Sequence, residues 1–133
     1  MSGSATTPRP QCLIYLVDDE ELLLDMAEVA LRSEGYTLKR FQNPETAFQA
    51  FTHEPCKPSL LLTDYAMAPM NGLELSAKCK SAHPPLKILL VSGTVDSDFV
   101  QNAPVQVDHF IAKPYEPTHL ANTVRSLLEN DAV

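Results

Sequence analysis

A small α/β domain on a doubly wound parallel sheet is what these 133 residues predict. Five apolar runs alternate with five segments of helical periodicity along the chain. The runs CLIYLV, SLLLTD and KILLVS are nearly continuous in apolar residues. Strands of that kind are covered by helices on both faces, the condition of a parallel sheet.

The elements follow in order. CLIYLV (residues 12–17) is a buried strand bounded by Pro10 and Asp18. From Glu20, apolar Leu23, Met26, Ala27, Ala30 and Leu31 keep the helical repeat, and Gly35 supplies the stop. YTLKRF (36–41) alternates as an edge strand does. Asn43 before Pro44 reads as an N-cap with proline at the first helical position, opening a helix through Ala47, Phe48 and Phe51. Pro55 and Pro58 close that helix. SLLLTD (59–64) is the third strand, and a helix over 73–82 ends at Pro84 and Pro85. KILLVS (87–92) is the fourth strand. A short helix is expected over 95–103, where VDSDFVQNA offers only a thin apolar face. VDHFIAK (107–113) is the fifth strand, and Pro117 opens the last helix, with Leu120, Val124, Leu127 and Leu128 at core spacing.

Composition narrows the function classes. A formal charge of −7 argues against nucleic acid or an anionic membrane as a direct partner. Three cysteines, Cys12, Cys56 and Cys79, form no C-x-x-C pair and read as free thiols in a reducing, cytoplasmic compartment. No segment approaches the roughly 20 apolar residues of a membrane span, and the start is no secretory signal. Residues 1–10 read as a disordered leader, 11–130 as one folded domain, and 131–133 as a tail.

Chemistry gathers where the strands end. The first strand runs into Asp18 and Asp19, the third into Asp64, the fourth into Ser92 and the fifth into Lys113. Taken singly, each has a plain reading: an aspartate after a strand caps the next helix, a serine turns, a lysine is solvated. In a parallel sheet, however, all of them converge on the carboxyl edge, where doubly wound folds place their sites. Two like charges about 4 Å apart cost roughly 4 kcal/mol at an intermediate dielectric. A raised carboxyl pKa or a bound cation must relieve that repulsion. Oxygen donors without histidine or cysteine favour Mg²⁺ or Mn²⁺ over zinc. Lys113 and the Ser92 hydroxyl then suit phosphate oxygens, and a carboxylate is available as nucleophile.

At VDDE, LLLTDYAM, LLVSGT and FIAKPY, in that order and spacing, the chain resembles the receiver domain of two-component response regulators from Gln11 to Asn130. The resemblance implies a flavodoxin-like (βα)5 fold with strand order 2-1-3-4-5. It implies that Asp64 accepts a phosphoryl group from a sensor histidine kinase or phosphotransfer protein. Asp19 would ligate Mg²⁺ directly, Asp18 largely through water, and the backbone carbonyl of Ala66 would complete the protein's share of the shell. Ser92 matches the switch hydroxyl, Lys113 the phosphate-binding lysine and Phe110 the switch aromatic. A cis Lys113–Pro114 bond is implied as well. The output partner would read a face made of the 95–103 helix, the fifth strand and the last helix.

The chain departs from the family pattern in three places. Ala68 stands where a proline is usual, with Pro69 one place later, although Gly72 keeps its position. Phe110 replaces the more usual tyrosine, and the 95–103 helix is short. Two other readings of the same residues are an Mg²⁺-dependent phosphatase with an aspartate nucleophile, and a receiver that works without phosphorylation. The first needs an acid two residues past Asp18, where Glu20 is a partial match, and also a substrate pocket. The second sits poorly with a complete acidic set. No DNA-binding or catalytic output is expected after Asn130, so the chain reads as a stand-alone receiver or as part of a larger regulator or hybrid kinase.

Overall fold

The computed structural model describes residues 12–93 and 107–131. Five strands, β1 (Leu13–Val17), β2 (Thr37–Phe41), β3 (Leu60–Asp64), β4 (Lys87–Ser92) and β5 (His109–Ala112), form one sheet of order β2-β1-β3-β4-β5. All four pairings are parallel. Among the described residues the helices are α1 (Glu21–Arg32), α2 (Pro44–His53), α3 (Gly72–Ala82) and α4 (Pro117–Asp131). The helix expected over 95–103 lies outside the described residues, as do the 1–10 leader and the end of the chain.

Strand residues alternate between two apolar layers, which explains the continuous runs. Ile14, Leu16, Leu60, Leu62, Leu89 and Val91 face one core, packed by Leu24, Ala27 and Leu31 of α1 and by α4. Tyr15, Val17, Leu61 and Ile88 face the other, packed by Ala47 and Phe51 of α2 and by Leu75 and Cys79 of α3. Each layer is thus a helix pair, α1 beside α4 and α2 beside α3.

Local chemistry sets the element ends. Asn43 caps α2 through its side chain, accepting from the N–H groups of Glu45 and Thr46 at 2.8 and 3.2 Å. Asn71 and Glu74 form a reciprocal capping box on α3, each bond 2.8 Å. Gly35 takes φ 92° after α1, the left-handed conformation that glycine adopts without penalty.

Two expectations are corrected. In α1 the buried face is Leu24, Ala27 and Leu31, whereas Met26 is 38% exposed beside the exposed Leu22 and Val29. The run ELLL offers two helical stripes, and the sheet takes the one spaced 24, 27, 31. β5 is also shorter than the run 107–113. Asp108 begins the approach to β4 with its side chain, Oδ2 accepting from the Ile88 N–H at 2.7 Å, and regular pairing starts at His109.

Candidate functional site

Two neighbouring strands bring the acidic residues together. β1 delivers Asp18 and Asp19, and the neighbouring β3 delivers Asp64 in register with Val91 of β4. One carboxylate oxygen from each of Asp18, Asp19 and Asp64 lies within 4.8 Å of the other two. Asp18 and Asp64 are buried, and Asp19 is exposed. The plain reading of Asp19 as a helix cap fails, because Glu20 occupies the N-cap of α1 and no side-chain cap bond is made there. Asp18 Oδ1 instead accepts from the Glu20 N–H at 2.9 Å. Glu20, the acid that a phosphatase reading requires, is exposed and meets the cluster through its backbone.

Lys113 closes the opposite side. It stands one residue past β5, where its N–H donates to the Ser92 carbonyl at 2.9 Å. Its Nζ lies 3.0 Å from Asp64 Oδ1 and 3.3 Å from Asp18 Oδ2. The Lys113–Pro114 bond that follows is cis, and so is Ala68–Pro69 in the loop after Asp64.

The electrostatics match this crowding. Burial pushes the Asp64 carboxyl above the ordinary carboxylate range; Lys113 opposes the shift and Asp19 adds to it. The Asp18 carboxyl is raised first by burial and then by Asp64, against the Glu20 N–H and Lys113. Burial works against the charge on Lys113, but its bond to Asp64 and the charge of Asp18 outweigh it and raise its pKa. One ammonium against this cluster of carboxylates leaves negative charge in excess, held on hard oxygen donors with neither histidine nor cysteine among them. That donor set fits Mg²⁺ or Mn²⁺.

The remaining candidates lie around this centre. Ser92 ends β4 and is buried, with Ala112 of β5 as its register partner. Ala66 is exposed in the turn two residues past Asp64. Phe110 is half-buried on β5 opposite Leu90. Tyr115, which sequence reasoning did not single out, lines the narrow pocket that also holds Asp18, Asp64 and Val91. Its phenol is held above the ordinary range by burial and then by the charge of Asp18. A tyrosine two residues past a lysine carries no pattern of its own, so only the fold reveals it.

A doubly wound sheet with an acidic cluster and a lysine at its carboxyl edge defines a class of small α/β domains whose site lies at the strand ends. The match is closer than class. A model of the response regulator receiver domain covers residues 14–125, and the chain belongs to that family. It is 31% identical to the response regulator receiver protein CpdR of Brucella abortus, over 86% of this chain and 95% of that protein. It is 30% identical to part of the sensor kinase CckA of the same organism, over 97% of this chain but only 13% of the kinase. It spans about half (51%) of the regulator PhoB of Pseudomonas aeruginosa. Among solved structures, a CheY-like receiver domain of Methanospirillum hungatei superposes with a TM-score of 0.82 at 27% identity, covering 91% of this chain and 96% of the other. The five-stranded order 2-1-3-4-5 expected of a flavodoxin-like receiver is the order observed. Among the described residues, no helix is long and apolar enough to cross a membrane.

Proposed function

We propose that the chain is a cytoplasmic phosphoacceptor module, which takes a phosphoryl group from a sensor histidine kinase or phosphotransfer protein onto Asp64. The observation that carries this reading is the placement of Asp64 between the carboxylates of Asp18 and Asp19 and the Lys113 ammonium 3.0 Å away. Asp64 Oδ attacks phosphorus, the N–P bond of the donor phosphohistidine breaks, and the imidazole leaves with its electron pair. Lys113, already within reach of Asp64, follows the charge onto the new phosphoryl oxygens. Held by Asp18, Asp19, Asp64 and the Ala66 carbonyl, Mg²⁺ or Mn²⁺ supplies charge neutralisation for the incoming phosphoryl group. The chain accepts its phosphoryl group from a partner kinase and works as a signalling switch rather than as a turnover enzyme.

The acyl phosphate shifts a two-state equilibrium that a partner reads. Ser92, at the end of the strand next to β3, donates a hydrogen bond to a phosphoryl oxygen, and Phe110 repacks beside β5 in response. The output partner then engages the face made of the 95–103 segment, β5 and α4.

The test is direct. Acetyl phosphate with Mg²⁺ should add one alkali-labile phosphate, and peptide mapping should place it on Asp64. Beryllium fluoride with Mg²⁺ should occupy the same position and move the NMR resonances of Ser92 and Phe110. Labelling that persists in Asp64→Ala would assign the nucleophile elsewhere.

A further inference from the structure

The first turn of α3 approaches the backbone of Asp64 more closely than any residue with a side chain permits. A β-carbon built on Gly72 would lie 2.2 Å from the Asp64 carbonyl oxygen, 3.0 Å from its carbonyl carbon and 3.0 Å from the Tyr65 Cα. All of these are main-chain atoms, so no rotamer change clears the way. As the first residue of an α-helix, Gly72 needs no left-handed φ. Space, not conformational freedom, calls for glycine here.

That close approach belongs to a set of contacts on the two peptides that follow Asp64. The Gly72 N–H donates to the Tyr65 carbonyl at 2.8 Å, and the Tyr65 N–H donates to Val91 of β4 at 2.9 Å. The buried Thr63 hydroxyl donates to the Asp64 carbonyl at 3.0 Å. The Asn71–Glu74 capping box holds the turn that carries Gly72. The main chain of Asp64 is thus wedged between β4 and the start of α3 while its carboxylate meets Lys113.

We propose that Gly72 is a positioning residue for the chemistry of Asp64, its missing side chain letting α3 brace the main chain behind the acceptor carboxylate. The inference rests on Asp64 being the phosphoacceptor. Any β-carbon forces a displacement on the order of 1 Å into this contact, and a misplacement of that size can cost about a hundredfold in rate.

The experiment compares the labelling rate by acetyl phosphate and Mg²⁺, per folded molecule, in wild type, Gly72→Ala and Cys79→Ala. Cys79 is buried in the same helix two turns on, so its variant loosens α3 without touching Asp64. Gly72→Ala should label at least about tenfold more slowly, with Cys79→Ala near wild type. If Gly72→Ala melts earlier but labels at the wild-type rate, the glycine serves stability alone and the proposal is wrong. If Gly72→Ala does not fold, Thr63→Val decides, because it frees the same carbonyl in a nearly isosteric side chain. A labelling rate lowered about threefold or more supports the brace, and an unchanged rate overturns it. Failure of the wild type to label would overturn the phosphoacceptor reading itself. The brace would then be judged by the amide NMR shifts of Tyr65 and Lys113, which should move in Gly72→Ala and not in Cys79→Ala; unmoved shifts overturn it.

Discussion

Asp64 holds its charge in a place that disfavours charge. Burial raises its carboxyl pKa despite the Lys113 ammonium 3.0 Å away. A folded-state pKa above the unfolded value stabilises the fold at low pH, and that contribution is lost as the pH rises through the raised pKa. At neutral pH, with no divalent cation added, Asp64→Asn should therefore melt a few degrees above the wild type. The gap should shrink as the pH falls through the Asp64 titration; calorimetric scans over that range check it, and a gap widening toward acid would refute the sign. Lys113 poses the converse question. Its raised pKa means that its contribution to stability is present up to the ordinary lysine range and disappears as the pH climbs through the higher folded value. Lys113→Arg keeps the charge but replaces a compact ammonium by a planar fork, in a gap where Asp18 and Asp64 are met by one atom. It should stay folded and be phosphorylated several-fold more slowly. Wild-type kinetics in that variant would reduce Lys113 to a structural ion pair.

At the scale of elements, helix caps decide where α2 and α3 begin. Replacing Asn71 by alanine removes one half of the α3 capping box and should destabilise the protein by about 1 kcal/mol. A thermal melt lowered by roughly 4 °C would register the loss. The elements themselves were largely legible. β4 coincides with its apolar run, and β1 and β3 begin one residue later than theirs. Asn43 before Pro44 signalled α2 because proline and cap occur together. The failures have physical causes. Periodicity could not choose between the two stripes of ELLL, since only the sheet decides which one is buried. Nor could it foresee that the Asp108 side chain would take a ladder position ahead of β5. The Asn71 cap was missed because the preceding loop, with Ala68, Pro69 and Met70, obscures where α3 starts.

For the whole molecule, the acidic edge should couple ligand binding to folding. A cation bound only by the folded state stabilises it by about 2.7 kcal/mol at a hundredfold excess over its Kd. Mg²⁺ should thus raise the melting temperature of the wild type, and Asp19→Asn should lose most of that increment; an unchanged melt with millimolar Mg²⁺ would contradict the metal assignment. Asp18, Asp19, Asp64 and Lys113 were legible because parallel strands carry their last residues to one edge whatever the loops do. Gly72 as a brace and Tyr115 as a wall were not, because each depends on how a loop returns to that edge. The two-sided core has a further consequence for how the strands find their alignment. In a sheet with one wet face, a slip of one residue drives polar groups inward and is penalised along the whole strand. Here both faces are apolar, so a slipped β3 would offer leucine to either layer and the error would go unmarked over most of its length. The mark comes at the end. One step of slippage would draw Asp64 level with Leu90, where Thr63 now sits, and enclose a charge within the ladder. The carboxylates at the ends of β1 and β3 therefore also serve as end stops, setting those strands to one depth as the chain folds.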